Sequence, residues 1–518
     1  MKKQLLSYIL LCVSFIMYAQ SEVDAIRFST NELTGTARGV GMAGAFGALG
    51  GDITGIASNP AGIGVYRSSE ILTSLDLASV GVNTNLDGSA NDESKLNFSF
   101  NNVAYVSYCP MGDDNIKSFN YGFSYNRLKN FGRNYYATGF DQGASLTDYI
   151  AGISTANEIY YKHLEGEGRN PYNSSNGAPW ISILGYNAYL IDDIEDYEYA
   201  SAYPSGRPSN RLKVSEEGYI NSYDFTGGLN LFDRLFLGIT FSMTDLFYRT
   251  DSYYDEDFGN SNFFHFDNYY KAEGSGYQVS LGAIYHLMPQ LRLGVAYHSP
   301  TWYSMTDSYQ GTAEAFGNPS GYFCAPLGDG EIAMTDYRFQ TPYQWTFSVA
   351  GVIGSRAIVS VDYEMKDYTS MSFTDTYGHH LSWNPNQWIK EDYRMASTVK
   401  TGIEYRLFPE ISLRGGYAWM QSPLETSYQA GEKEVMTVGT MPHYTLQGDT
   451  QYLTLGLGIR ITPQFYVDGA FVYRTQTSDL YGYSPVISYS DGNERLDVNP
   501  AQFKEEALRG IITVGYKF

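Results

Sequence analysis

The chain has 518 residues, with 34 lysines and arginines against 56 aspartates and glutamates, a formal net charge of −22. That balance excludes the basic stripe needed to displace counterions from phosphate, so no nucleic-acid partner is expected. Aromatic side chains make up 16% of the sequence against 17% charged, the reverse of a disordered composition, and 53 glycines beside 48 tyrosines favour many strands and turns.

Residues 1–19 read as an export signal: Lys2 and Lys3, an apolar run from Leu5 to Tyr18, then Ala19. The run is short for a membrane helix, and Leu11 stands where a lipid-attachment motif before Cys12 would need a small side chain. Cys109 and Cys324 remain after cleavage; they could form one disulfide outside the cytoplasm, but two distant cysteines are no scaffold. No later run reaches the roughly 18 apolar residues of a spanning helix, so only strands could cross a bilayer.

Residues 20–69 are rich in small side chains, with Gly39, Gly41, Gly44 and Phe46 leading to the turn-like Asn59-Pro60-Ala61-Gly62. The three glycines match a dinucleotide fingerprint letter by letter, yet no buried strand precedes them and no βαβ unit follows. Small residues permit close backbone packing, which suits a plug inside a narrow lumen.

From residue 70 to 518, alternation gives fourteen segments: Ile71–Leu77, Phe98–Tyr108, Phe119–Leu128, Tyr219–Asn230, Arg234–Tyr248, Tyr269–His286, Gln290–His298, Tyr337–Val352, Arg356–Met365, Met395–Arg406, Glu410–Met420, Tyr452–Ile461, Gln464–Arg474 and Leu508–Phe518. One parity is apolar, as at Leu291, Leu293, Val295 and Tyr297; the other is small or polar, as at Arg292, Gly294 and Ala296. A soluble sandwich alternates too. The connections decide: tight turns such as Leu231–Asp233 and Leu407–Pro409 alternate with long ones, and Tyr or Trp mark strand ends at Tyr297, Trp345, Tyr405 and Trp419. Short periplasmic turns, long external loops and aromatic girdles describe an all-β transmembrane antiparallel barrel of about 14 strands in a Gram-negative cell outer membrane, contacting its lipid. The final Ile-Thr-Val-Gly-Tyr-Lys-Phe, ending on Phe518, resembles the terminal signal read by the barrel-assembly machinery.

An external insertion of about residues 129–218 carries Ile150, Ile153, Ile159 and Leu164 at near-helical spacing. These either bury their own apolar face in small helices or line a substrate groove. For a head group, the lumenal parity offers Lys400 and Arg414 on hairpin partners, where they either converge or pair with acids such as Glu404 and Asp468. Gly122, inside the third segment, is a candidate kink, since glycine in a strand marks a bulge or close approach. No Gly-x-Ser-x-Gly elbow ties a nucleophile to a base, so no enzyme and no cofactor are expected; His379-His380 offer only a weak metal or haem site.

The stretch Ala37–Phe46 together with Asn59-Pro60-Ala61-Gly62 resembles the long-chain fatty-acid and aromatic-hydrocarbon outer-membrane transporter family (FadL/TodX-like). The resemblance implies an N-terminal hatch plugging the lumen, with Asn59, Pro60, Ala61 and Gly62 as its turn. It further implies capture of small hydrophobic molecules by external loops and lateral exit beside a kinked third strand, for which Gly122 is the position chosen. A surface adhesin or ligand-binding barrel, including a haem binder, and a barrel hydrolase are the alternatives.

Overall fold

Fourteen segments that alternate in polarity must pair on both edges if they lie in hydrocarbon, because each unpaired backbone group there costs several kcal/mol. The computed structural model describes residues 21–86, 88–139, 144–166, 168–173, 177–203, 208–317, 320–328, 330–354, 356–379, 381, 385–431, 433–487, 495–496 and 498–518. Residues 1–19, expected to be an export signal and containing Cys12, lie outside these residues. The strands are β1 (Glu70–Leu86), β2 (Ser89–Pro110), β3 (Ile116–Asn130 and Arg133–Thr138), β4 (Ser209–Leu231), β5 (Leu235–Asp257), β6 (Phe263–Met288) and β7 (Leu291–His298 and Trp302–Phe316). They continue with β8 (Ala333–Gln340 and Gln344–Ile353), β9 (Ala357–Asp367), β10 (Met395–Arg406), β11 (Ile411–Met420), β12 (Thr450–Arg460), β13 (Phe465–Tyr481) and β14 (Ala501–Lys517). Each pairs antiparallel with its neighbours, and β1 closes the cylinder on β14 from Glu70↔Lys517 to Asn85↔Gln502.

The apolar parity faces outward. Leu293, Leu455, Ile512 and Val514 are exposed, whereas Ala296, Asp468 and Thr513 on the opposite parity are buried. Strands β9 to β12 have 10–12 residues, about what a tilted strand needs to cross the bilayer, while β2, β4, β5 and β6 have 22–26 and stand well clear of it. One end of the cylinder carries turns of two to five residues, such as Pro289–Gln290 between β6 and β7. The other, called here the outer end, carries the long connections. The insertion there is narrower than expected: β3 runs on to Thr138 and β4 begins at Ser209, because the strands continue beyond the apolar band on which alternation depends. Cys109 sits near the short-turn end of β2 and Cys324 in an outer-end strand (Gly321–Ala325), and both are free thiols.

Inside the cylinder lies the amino-terminal segment. Helix α1 (Glu22–Ser29) starts near the outer end, and the chain then descends through α2 (Ala37–Gly41) and α3 (Ile53–Ser58). It leaves through a 3-10 turn at Pro60–Val65 to enter β1. Each start is capped by a side chain: Ser21 accepts from the Asp24 amide, Thr36 from Gly39 and Asp52 from Thr54. Outside, helices α4 (Leu146–Ala156), α5 (Tyr161–Glu165) and α6 (Trp180–Asn187) fold over the outer end and share one apolar cluster with α1 and the upper strands.

Candidate functional site

The lower hatch is seated on bare backbone. Gly238 of β5 faces inward where a Cβ would lie 2.2 Å from the Pro60 carbonyl oxygen, so any side chain there would displace the turn. Gly282, Gly294, Gly402 and Gly416 repeat the arrangement opposite Asn59, Gly47, Met42 and Ala43. Asn59 fixes the turn to the wall: its amide donates to the carbonyls of Gly47 at 2.7 Å, Ala283 at 3.2 Å and Val295 at 3.3 Å, while its Oδ1 accepts from the Ala61 amide at 3.1 Å. Pro60, Ala61 and Gly62 are buried with it. The hatch glycines serve the same close packing. Gly39 faces the Thr54 side chain, a Cβ on Gly41 would lie 3.2 Å from the Gly456 Cα, and Gly44 takes a left-handed φ of +75° beside Leu33. Phe46 is fully buried with the Arg38 guanidinium 5.3 Å over its ring.

Below this seat a charge cluster locks hatch to wall. Arg38 grips Glu404 through Nε at 2.9 Å and Nη2 at 3.2 Å. Arg414 donates to the same carboxylate at 2.7 Å and to Asp468 at 2.7 Å. Arg414 therefore lines a cavity of about 150 Å³ at the short-turn end, whereas Lys400 lies above the hatch, paired with Glu364 at 2.5 Å. The two cations do not converge, because three residues of one strand separate Lys400 from Glu404 and the hatch lies between them.

Above the seat the wall itself parts. Strands β2 and β3 pair from Asn102↔Asn126 down to Pro110↔Ser118, but no backbone ladder joins β3 beyond Asn126 to Ser89–Asn101 of β2. A register shift lies on each lip: in β3 between Arg127 and Lys129, where two steps on β3 face one on β4, and in β2 at Asn101, where Ser74 and Leu75 of β1 face Asn102 and Phe100. Before it Ser118, Asn120, Ser124 and Asn126 are buried inward; after it Phe131, Tyr135 and Ala137 are. Only side chains cross the resulting seam, as Asn97 donates to the Gly132 carbonyl at 2.6 Å and Lys95 to that of Glu216 at 2.9 Å. Gly122 is not at this opening. It sits in an unbroken ladder, opposite Val106 and Thr226, and leaves room for Ile63 of the hatch.

The inner face of the seam is covered by the hatch between α1 and α2. The amide of Glu32 donates to the Leu128 carbonyl at 2.9 Å on the β3 lip, and the Gly35 carbonyl accepts from Asn101 at 2.7 Å on the β2 lip. Lys129 reaches back to the Arg27 carbonyl at 2.8 Å and the Thr30 hydroxyl at 2.6 Å. Beside this strap lies a cavity of about 220 Å³ bordered by Phe28, Leu33, Leu128, Thr240, Tyr303 and Lys400. A second cavity of about 20 Å³ borders the seam itself, lined by Thr34, Asn97, Ser99, Arg127 and Asn130. Helix α1 caps the interior. Tyr393 donates to the Glu22 carbonyl at 2.7 Å and Tyr428 to its carboxylate at 3.3 Å, and burial pushes this carboxyl up to about 8.

The outer helices make no groove from the residues chosen for one. Ile150, Ile153, Ile159 and Leu164 are at most 9% exposed, packed among themselves and against the upper strands, and border none of these cavities. Their apolar face is consumed in folding the cap. His379 is exposed beside Asp375 at 3.2 Å, His380 lies outside the described residues, and among the described residues no three His, Cys, Asp or Glu side chains gather as metal ligands.

The interrupted ladder was invisible in the sequence, because Phe131 and Tyr135 keep the same odd parity as the lipid-facing Phe119, Tyr121, Phe123 and Tyr125. Only loss of polar alternation after Asn126 could have signalled it.

Residues 265–499 match the family described as outer membrane protein transport protein (OMPP1/FadL/TodX), which places the resemblance on the far half of the chain from the motifs that first suggested it. No curated protein gives a sequence match. Among solved structures, a Pseudomonas aeruginosa FadL homologue aligns with a TM-score of 0.52 at 12% identity, over 95% of this chain and 100% of that one. A TodX deltaS2S3 mutant, titled a monoaromatic hydrocarbon channel, aligns at 0.50 and 12% identity, over 94% and 100%. The P. putida toluene transporter TodX aligns at 0.49 and 12%, over 94% and 99%. At such identities the first two establish the fold: a closed barrel of fourteen antiparallel strands.

Proposed function

We propose that this outer-membrane barrel carries small, largely apolar molecules passively inward, with the hatch as gate and the seam between β2 and β3 as lateral exit. One observation carries the reading: the strap from Thr30 to Gly35 bonds to both lips of the stretch where β2 and β3 run side by side without a ladder. A plug needed only to block the lumen would have no reason to replace a missing strand. Here its backbone takes up the Leu128 carbonyl that β2 has released, so moving the strap exposes both the cavity beside it and the seam.

A solute that leaves through the wall passes directly from the cavity to the lipid-facing surface, where Phe98 and Phe100 of β2 are exposed, without crossing the charge cluster at the short-turn end. No energy source enters this scheme. Asn59, Pro60, Ala61 and Gly62 hold the lower hatch still while the strap moves.

The test is a cross-link between Thr34→Cys and Ser99→Cys, which line the same small cavity, in a background with Cys109 and Cys324 changed to serine. In liposomes the linked protein should lose uptake of an uncharged aromatic probe, and reductant should restore it. Unchanged uptake in the linked state would rule out the seam as the route. A surface-binding role without transport would instead leave uptake at the rate of protein-free vesicles before and after linking.

A further inference from the structure

The cavity beside the strap is two-faced in a way that hydrocarbon does not need. Strands β4, β5 and β6 present Ser222, Thr240, Ser242, Gln278 and Ser280 to it, while the hatch and the bulged strand present Phe28, Leu33, Ile56 and Leu128. Some of the polar groups are already satisfied: Thr240 shares a hydrogen with Thr226 at 2.8 Å, and Ser280 meets His298 Nδ1 at 2.8 Å. Each hydroxyl still keeps acceptor capacity, since it offers one donor and two lone pairs.

A polar-lined cavity of about 220 Å³ is roomy enough for several waters when no solute occupies it. A bare hydrocarbon would displace that water without replacing its hydrogen bonds, which lowers affinity. An anion fares no better. The lining carboxylates Glu32, Asp224 and Glu364 outnumber Lys366 and Lys400, and Lys400 is already paired with Glu364 at 2.5 Å. What fits both faces is an uncharged molecule with an aromatic or alkyl body and one or more hydroxyl groups.

Resting on the transport reading of this same site, we propose that the lumenal cavity selects neutral, hydroxyl-bearing amphiphiles over bare hydrocarbons and over carboxylates. The apolar body lies against Phe28 and Leu128 and the hydroxyl against Thr240 and Ser242.

Three probes of one shape test it: 4-nitrobenzyl alcohol, 4-nitrotoluene and 4-nitrobenzoate, titrated calorimetrically against the whole mature protein in detergent. The alcohol should bind about tenfold more tightly than either other probe, the effect of one well-made hydrogen bond. The double substitution Thr240→Val with Ser242→Ala should shrink that preference below about twofold. Thr398→Val, at the cavity border on another strand, should reduce it by less and serves if the double variant fails the heat-shift test of barrel assembly. Equal or tighter binding of nitrotoluene or nitrobenzoate, binding of none of the three, or full preference in the variants would overturn the proposal. Liposome uptake separates it from the transport reading. Preferred binding of the alcohol with no probe entering faster than in bare vesicles leaves the selectivity standing and removes transport. Equal binding and equal uptake of alcohol and nitrotoluene does the reverse.

Discussion

The two halves of the hatch are held in different ways. Residues 36–64 touch the wall backbone to backbone, through inward glycines that leave no space, and are bolted by Asn59 and by the Arg38–Glu404–Arg414 cluster. Residues 21–35 are held mostly by wall side chains: tyrosine hydroxyls on Glu22, Lys129 on Arg27 and Thr30, Arg509 on the Leu33 carbonyl and Asn101 on that of Gly35, with one backbone amide on Leu128. Close-packed backbone cannot shift by degrees, whereas a strap flanked by cavities and carrying the exposed Asn31 can. The segment thus joins a close-packed lower half to an upper half tied by separable polar contacts.

Removing the distinction altogether gives the largest effect. Deletion of Ser21–Arg67 should leave a barrel through which a polar dye leaks from liposomes at many times the full-length rate, and an unchanged leak would show that the hatch seals nothing. Next comes Gly238→Val, which forces a side chain into the 2.2 Å space before Pro60 and should unseat only the lower half, seen as protease cleavage within residues 36–64. Gly469→Ala, with nothing within 4 Å of the new Cβ, should change neither leak nor cleavage. A smaller loss follows Asn59→Ala. Leaving the Gly47, Ala283 and Val295 carbonyls short of a donor should cost about 1–3 kcal/mol of hatch seating, measured as faster amide exchange at Gly62 with the barrel strands unaffected.

The smallest effect concerns α1 alone. The buried Glu22 carboxyl, raised from 4.5 to about 8, binds its proton more tightly docked than free. Docking is therefore strongest below about 4.5 and weakens as pH climbs through 8. Proteolysis after Arg27 should accelerate across that window, and Glu22→Gln should flatten the dependence; a flat profile in the unaltered protein would contradict the assignment.

All fourteen strands were legible because within the bilayer every second residue must be apolar, and that constraint writes itself into Leu291–Tyr297 or Ile512–Phe518. Beyond the bilayer it lapses. Ser89–Lys95 of β2 alternates nothing, so alternation places the start of β2 near Phe98. The hatch turn was legible as a motif, though its contacts were not, since Asn59 meets carbonyls more than two hundred residues away. The two alternatives for Ile150 and its neighbours stay open in the sequence for a different reason: spacing reveals an apolar helix face but not whether the protein itself covers it.

The extra residue at Leu128 works like a change of reading frame. Everything after it in β3 exchanges inside for outside, bringing Phe131 against Phe28 and carrying Tyr136 the opposite way. Loss of that single residue would restore the earlier phase and turn Phe131, Tyr135 and Ala137 to the outer face. A shift of one residue thus redirects a whole strand arm without altering the number of strands or the seat of the lower hatch.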